Sequence, residues 1–198
     1  MKHYYTDNTD LISEPVVFQY DYRGHVLNFT GDHGVFSKAM IDYGSRVLLD
    51  AITVDETKKT LLDVGCGYGT FGVCLKTVYP WLMMEMVDVN DRALDLCRKN
   101  AEANNIQDVA IYKSYIYDNV EKSFDLIVSN PPIRAGKEVV HQILEKAYDY
   151  LNTDGELWIV IQKKQGAPSA KSKMNEVFGN CEVVKKDKGY YILKSKKE

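Results

Sequence analysis

Asn130-Pro131-Pro132-Ile133 sets two prolines behind an asparagine. Proline fixes its φ and gives up its N–H, so acceptors outnumber donors in a rigid run: the Asn130 amide oxygen and the carbonyls that remain. Such a group suits a planar exocyclic amine, which has N–H bonds to give. A second constellation is Asp63-Val-Gly-Cys-Gly-Tyr-Gly69, with Gly65, Gly67 and Gly69 at alternate positions. Glycine reaches positive φ and lets a ligand lie against bare main chain. Gly67, Gly69 and Gly72 also satisfy G-x-G-x-x-G, a dinucleotide fingerprint that is weak alone. Asp88, 21 residues after Gly67, is an acid placed to accept both hydroxyls of a ribose; a helix-capping role before Asn90 and Asp91 competes with it. The glycines and Asp88 do not separate one nucleoside cofactor from another; the Asn130 loop does, since its acceptors would hold an amine with its nitrogen facing a methyl sulfonium. Cys66, Cys74, Cys97 and Cys181 show no C-x-x-C or His-pair spacing, so neither a metal site nor a disulfide scaffold is expected, and the compartment is expected to be reducing and cytoplasmic.

These residues need a scaffold that delivers them to one edge. Leu61 to Val64 reads as a buried strand and Thr70 to Val78 as a helix stopped by Pro80, so the glycines join a strand to a helix N-terminus. Strand and helix then alternate, as a parallel sheet requires: Leu82 to Asp88, a helix capped by Asn90 or Asp91 and ending near Asn104-Asn105, Val109 to Tyr112, Phe124 to Ser129, a helix from about Lys137 to Leu151, an Asp154-Gly155 turn, Glu156 to Ile161, a helix over Ala170 to Phe178, and strands at Glu182 to Val184 and Tyr190 to Leu193. Asn130 falls at the carboxyl end of a strand, where open α/β sheets bind ligands. Ahead of the core, residues 1–14 are expected to be loose or extended. Phe18, Tyr20 and Tyr22 share one parity of a β-hairpin that turns at Arg23-Gly-His25, Gly31 to Gly34 reads as a second turn, and Ser37 as the N-cap of an amphipathic helix carrying Met40, Ile41, Val47, Leu48, Ala51 and Ile52. The reading is one domain, 1–198, with hairpin and helix over 1–54 and the catalytic core over 55–198.

The 198 residues are 45% hydrophobic and 27% charged, ordinary for a soluble globular chain, and no apolar run has membrane-spanning length, so neither a membrane span nor a leader is expected. Charge is uneven. From Lys163 onward ten lysines face four acids, so the tail carries +6 and the remainder −9 within a net −3. That tail meets either phosphate or solvent.

The run from Asp63 to Gly69 resembles motif I of class I S-adenosylmethionine (SAM) methyltransferases, and Asn130-Pro-Pro-Ile133 resembles motif IV of those that methylate amino groups of bases or of glutamine. The longer Ser129 to Lys137 run, Gly34-Val-Phe-Ser37, Asp42-Tyr-Gly-Ser45, Gln162 to Pro168 and Lys188-Gly-Tyr-Tyr191 are similar to the RsmC-like guanine-N2 methyltransferases of small-subunit ribosomal RNA, in their short YbxB-like branch. The resemblance implies a Rossmann-like α/β fold, with a seven-strand, mostly parallel sheet covered on both faces and an antiparallel end. It implies SAM as cofactor, held by Asp63, Gly65, Gly67, Gly69, Asp88, Asn90, Tyr115 and Phe36. It places catalysis at Asn130, Pro131, Pro132 and Ile133, and substrate contacts at Arg134, Lys137, Lys163 and Lys164. The partner is ribosomal RNA or the small subunit, with no membrane and a monomer or homodimer. Ile133 stands where the family carries an aromatic, and Tyr115 where it often carries an aspartate; Phe36 or a tyrosine would supply the missing ring face. The same loop serves protein glutamine methylation, and a non-catalytic or NAD-binding Rossmann domain is the rival from another class.

Overall fold

The computed structural model describes residues 12–32 and 40–198. A two-stranded antiparallel hairpin, β1 (Pro15–Tyr22) and β2 (His25–Asp32), turns at Arg23-Gly24. It is followed by α1 (Tyr43–Ala51), β3 (Thr60–Val64), α2 (Thr70–Val78), β4 (Met83–Asp88), α3 (Asp91–Ala103), β5 (Val109–Lys113) and β6 (Phe124–Ser129). After β6 come α4 (Lys137–Lys146), β7 (Leu151–Gln162), α5 (Ala167–Phe178), β8 (Glu182–Asp187) and β9 (Tyr190–Lys196). The main sheet has the order β5-β4-β3-β6-β7-β9-β8. Its first five strands run parallel, and β9 runs antiparallel to both β7 and β8. This is the Rossmann-like α/β sheet expected, with strand order reversing beside β3.

Alternate residues of each central strand feed two separate cores. Leu61, Leu126, Val128, Trp158 and Val160 pack with α1 and α2 on one face. Leu62, Ile127, Leu157, Ile159 and Ile161 pack with α4 and α5 on the other. Burial on both faces is why these strands read as continuous apolar runs. The approach of α2 to β4 is set by Gly72, where an added Cβ would meet the Met86 side chain. Among the described residues no helix is long and apolar enough to cross a membrane.

The hairpin docks through polar bonds as well as its rings. The Tyr22 hydroxyl donates to the Leu49 carbonyl (2.7 Å), and Arg23 donates to the carbonyls of Leu49 and Ile52 at the end of α1. The outer edge of β2 is completed by side chains of α3 and its C-cap, Asn104. Asn100 accepts from the Thr30 N–H and donates to the Thr30 carbonyl, and Asn104 does the same for Asn28. Two residues along a strand advance about 6.8 Å and four residues of helix about 6 Å, so amides four apart at the end of a helix reach alternate residues of a strand. A further Asn100 bond goes to the Tyr68 carbonyl in the glycine turn (2.8 Å).

Several expected boundaries move. Gly31 and Asp32 extend β2 instead of turning, and Asp32 fixes the strand end by accepting from the Ser13 hydroxyl and the Glu14 N–H. The cap of α1 is Asp42, whose side chain accepts from the Ser45 N–H; Met40 and Ile41 precede the helix, and Ser37 lies outside the described residues. Leu151 leaves the helix to open β7 opposite Phe124, and Asp154-Gly155 is a bulge inside that strand rather than a turn before it. Gly155 is required there, because a Cβ would come within 2.7 Å of the Asn152 carbonyl oxygen. The lysine-rich stretch after Lys163 is a single 3-10 turn running straight into α5, with Pro168 in the first turn of the helix.

Candidate active site

The glycine turn leaves β3 with positive φ at Gly65, Gly67 and Gly69 (74°, 56° and 99°). Its donors are turned inward. The N–H groups of Gly65 and Cys66 both reach the Val87 carbonyl at 2.9 Å, and that of Gly69 reaches the Cys66 carbonyl. The Gly67 N–H reaches Oδ2 of Asp88 (2.9 Å), whose Oδ1 accepts from the Asn90 N–H at the same distance. Asp88 therefore shapes the turn and joins it to α3, while the cap of α3 is Asn90, buried and accepting from the Ala93 N–H. A dinucleotide pyrophosphate needs such N–H groups free; these four are spent. Cys66 in the same turn is buried, and burial, with Cys97 beside it, pushes its thiol well up, away from reactive thiolate.

Asp63 is the unusual residue. It is fully buried and neither carboxylate oxygen has a partner among the described residues. Burial first, and the charge of Asp88 second, push its carboxyl well above the ordinary value. The Asp88 carboxylate and a turn without spare donors suit a cationic ligand such as SAM better than a diphosphate. The raised acid also has a stability signature. Above the unfolded value of 3.8 the unfolded chain loses this proton while the folded one keeps it. Folded molecules then bind more protons, and stability falls as pH rises toward the folded value. Asp63→Asn removes that slope. Denaturant unfolding from about pH 4 upward, without added cofactor, is expected to show wild type losing ground to the variant until the folded carboxyl itself ionises; a constant difference would return Asp63 to an ordinary acid.

The N-P-P loop is brought beside this turn by the pairing of β6 with β3. The buried Ser129 hydroxyl donates to the Val64 carbonyl (2.8 Å), tying the two strand ends together where loop and turn begin. Pro131 and Pro132 are buried and Asn130 half-buried. The Pro132 carbonyl is taken by the Ala135 N–H in a 3-10 turn over Ile133–Ala135, and the Ile133 carbonyl by Gly136. The Pro131 carbonyl takes no backbone N–H among the described residues, so of the two proline acceptors expected, one remains. The Asn130 amide nitrogen donates to Asp42 Oδ2 (3.3 Å) and Ser45 Oγ (3.1 Å), 88 and 85 residues away in sequence. Asp42-Tyr-Gly-Ser45 stands out in the sequence only through its resemblance to the RsmC-like family; nothing in its spacing announces the contact.

The other expected site residues fall at the same sheet edge. Tyr115, 43% exposed, follows β5, where the Ser114 N–H donates to the Asp88 carbonyl. Ile133 packs partly into the core beside α4 rather than presenting a free face. Arg134 and Lys137 are exposed at the start of α4, and Lys163 and Lys164 at the end of neighbouring β7. The Lys163 N–H donates to the Gly189 carbonyl, which draws the β8–β9 turn to this edge. Phe36 and the Gly34 to Ser37 segment lie outside the described residues.

Strand order, glycine turn, buried acids and a Pro-Pro loop at the carboxyl edge together define a Rossmann-like methyltransferase. Residues 26–194 match the methyltransferase small domain, and the chain belongs to that family of SAM-dependent methyltransferases. It is 48% identical over 198 residues to a Bacillus subtilis (strain 168) protein described as uncharacterized protein YbxB, covering 99% of this chain and 98% of that one. It is 33% identical over 184 residues to the ribosomal RNA small subunit methyltransferase C of Actinobacillus pleuropneumoniae serotype 7 (strain AP76), covering 90% of this chain and 55% of that protein. The chain thus spans about half the length of the methyltransferase C relatives. In fold it is similar to the T. thermophilus 16S rRNA N2 G1207 methyltransferase (RsmC) in complex with AdoMet and guanosine. The TM-score there is 0.83 at 24% identity, over 95% of this chain and 52% of that one.

Proposed function

We propose that this chain methylates the exocyclic N2 amine of a guanine in small-subunit ribosomal RNA. The observation that carries the reading is the fixed amide of Asn130. Its nitrogen is tied to Asp42 and Ser45, so its oxygen is turned away from them as an acceptor, with the Pro131 carbonyl next in the chain. SAM, when bound, supplies a methyl group on a sulfonium. Asp63, Gly65, Gly67, Asp88 and Tyr115 are the residues to hold it, with Asp88 accepting from ribose. The amine nitrogen of guanine is a poor nucleophile because its lone pair is delocalised into the ring. Two rigid acceptors draw its N–H bonds out of that conjugation and stabilise the positive charge that grows on it. Holding the amine in one orientation supplies the rest.

Ribosomal RNA as substrate is supported by the surface beside Asn130. Tyr43 leans on Tyr190 (centroids 5.8 Å apart), with Arg46 5.1 Å and Lys188 4.9 Å from its ring centre. Desolvation, then Asp187 beside its hydroxyl and Asp50, hold the phenol's proton more firmly. With Lys163 and Lys164 on the adjoining turn, the edge offers cations to phosphates and rings to unstacked bases. A guanine in a helix must be extruded first. Incubation with methyl-labelled SAM is expected to label small ribosomal subunits, at guanine N2 on nucleoside analysis, and not release factors. Label on a release-factor glutamine instead would transfer the site to protein methylation, and no SAM binding in calorimetry would leave a non-catalytic domain.

A further inference from the structure

We infer that Asp42 and Ser45, at the N-terminus of α1, are positioning residues that decide which face of the Asn130 amide meets the substrate. The inference rests on the amine-methylating reading of Asn130. An asparagine side chain has a donor end and an acceptor end of almost identical shape, so the loop alone does not choose between them. The neighbours choose. Asp42 caps α1, its Oδ2 accepting from the Ser45 N–H (3.0 Å) and its Oδ1 from the Ser45 hydroxyl (2.7 Å). The Ser45 proton is thereby committed to Asp42, and Ser45 shows Asn130 only a lone pair. Asn130 consequently meets two acceptors, a carboxylate oxygen and a hydroxyl oxygen, and must turn its N–H₂ toward both. Its oxygen is left for an incoming amine. Reversed, the amide would set its own oxygen against the Asp42 carboxylate and show N–H bonds to a substrate that has only N–H bonds to give. Ser45 is 4% exposed, so water does not readily replace it.

The α1 N-terminus comes from the segment ahead of the core, which thus completes the site chemically, beyond merely covering it. Asp42→Asn isolates the effect because asparagine caps a helix as well as aspartate does. With its oxygen on the Ser45 N–H, the introduced amide places its own N–H₂ against Ser45 Oγ. The hydroxyl proton is then released toward Asn130 and favours the reversed amide. The expected result is kcat for methyl transfer to small ribosomal subunits lowered about ten- to hundredfold, with KM for SAM and melting temperature near wild type. The Asn130 side-chain 15N–1H₂ resonances should shift at the same time. Ser45→Ala, which keeps the cap intact, is expected to lower kcat about three- to tenfold, the scale of one neutral hydrogen bond; it also carries the test if the first variant folds poorly. Wild-type kcat in the folded variants, or unmoved Asn130 resonances, overturns the assignment. Should wild type itself leave subunits unlabelled, the RNA reading falls, while the resonances still decide whether Asp42 and Ser45 orient Asn130.

Discussion

Asn130→Ala is expected to cut methyl transfer about a hundredfold or more while leaving SAM affinity close to wild type, the scale at which a single transition-state contact acts. The amide of Asn130 donates to Asp42 and Ser45 and, among the described residues, makes no hydrogen bond to the glycine turn, so its loss leaves the bonds of Gly65, Gly67 and Asp88 as they are. Folding loses about 1–3 kcal/mol, since Asp42 keeps both of its Ser45 bonds and only the two bonds from the Asn130 amide disappear. The competing account makes Asn130 a structural brace for the loop, and predicts that melting temperature, SAM affinity and turnover fall together. Calorimetry, thermal unfolding and methyl transfer on one preparation separate the two accounts. Full turnover in Asn130→Ala would remove it from the reaction.

Asp88→Ala should act on the other half of the site. Its two oxygens hold the N–H groups of Gly67 and Asn90, so truncation takes away the proposed ribose acceptor and also frees the middle glycine of the turn. SAM binding is expected to weaken by roughly 1.5–3 kcal/mol, about ten- to hundredfold, the range for hydrogen bonds to a charged group. Asp88→Asn keeps an acceptor for Gly67 and should recover part of the loss, which a purely ligand-directed Asp88 would not allow. Calorimetry with an unchanged SAM affinity in Asp88→Ala would place the ribose elsewhere.

Much of this architecture is written locally. Phe124 to Ser129 is a short apolar run with no helical period, and the residues behind Asp63 are glycines whose positive φ no other residue tolerates cheaply. Elements flanked by punctuation of that kind fall where expected. Leu151 shows the limit: its spacing from Val140, Ile143, Leu144 and Ala147 continues a helix, and only pairing with Phe124 claims it for β7. Pro168 does signal a helix start, but the surrounding lysines and glycine read as loop. At α1 both Ser37 and Asp42 are capping residue types, and the apolar pair Met40-Ile41 favours the earlier one; α1 nevertheless begins after Asp42. Within the site, the glycines, Asp88 and Asn130 can be named because their types are chemically demanding at those spacings. The orphaned state of Asp63 and the hold of Asp42 and Ser45 on Asn130 arise only when strands distant in sequence become neighbours.

The asparagine pair on α3 has a consequence for the behaviour of the molecule in a crowd. A strand with one neighbour exposes a row of unpaired main-chain groups, a template on which a second chain can add. The outer side of β2 would be such a template, and it carries the aromatic Phe29 and the β-branched Thr30 that favour strand addition. Asn100 and Asn104 impersonate a neighbouring strand with side chains alone. A helix cannot pass its ladder on to another molecule, so the row ends there. The guard is specific to amides, because only a group with donor and acceptor on one end returns both bonds to each strand residue. Alanine at both positions would keep α3 helical, yet leave this hairpin edge open to self-association.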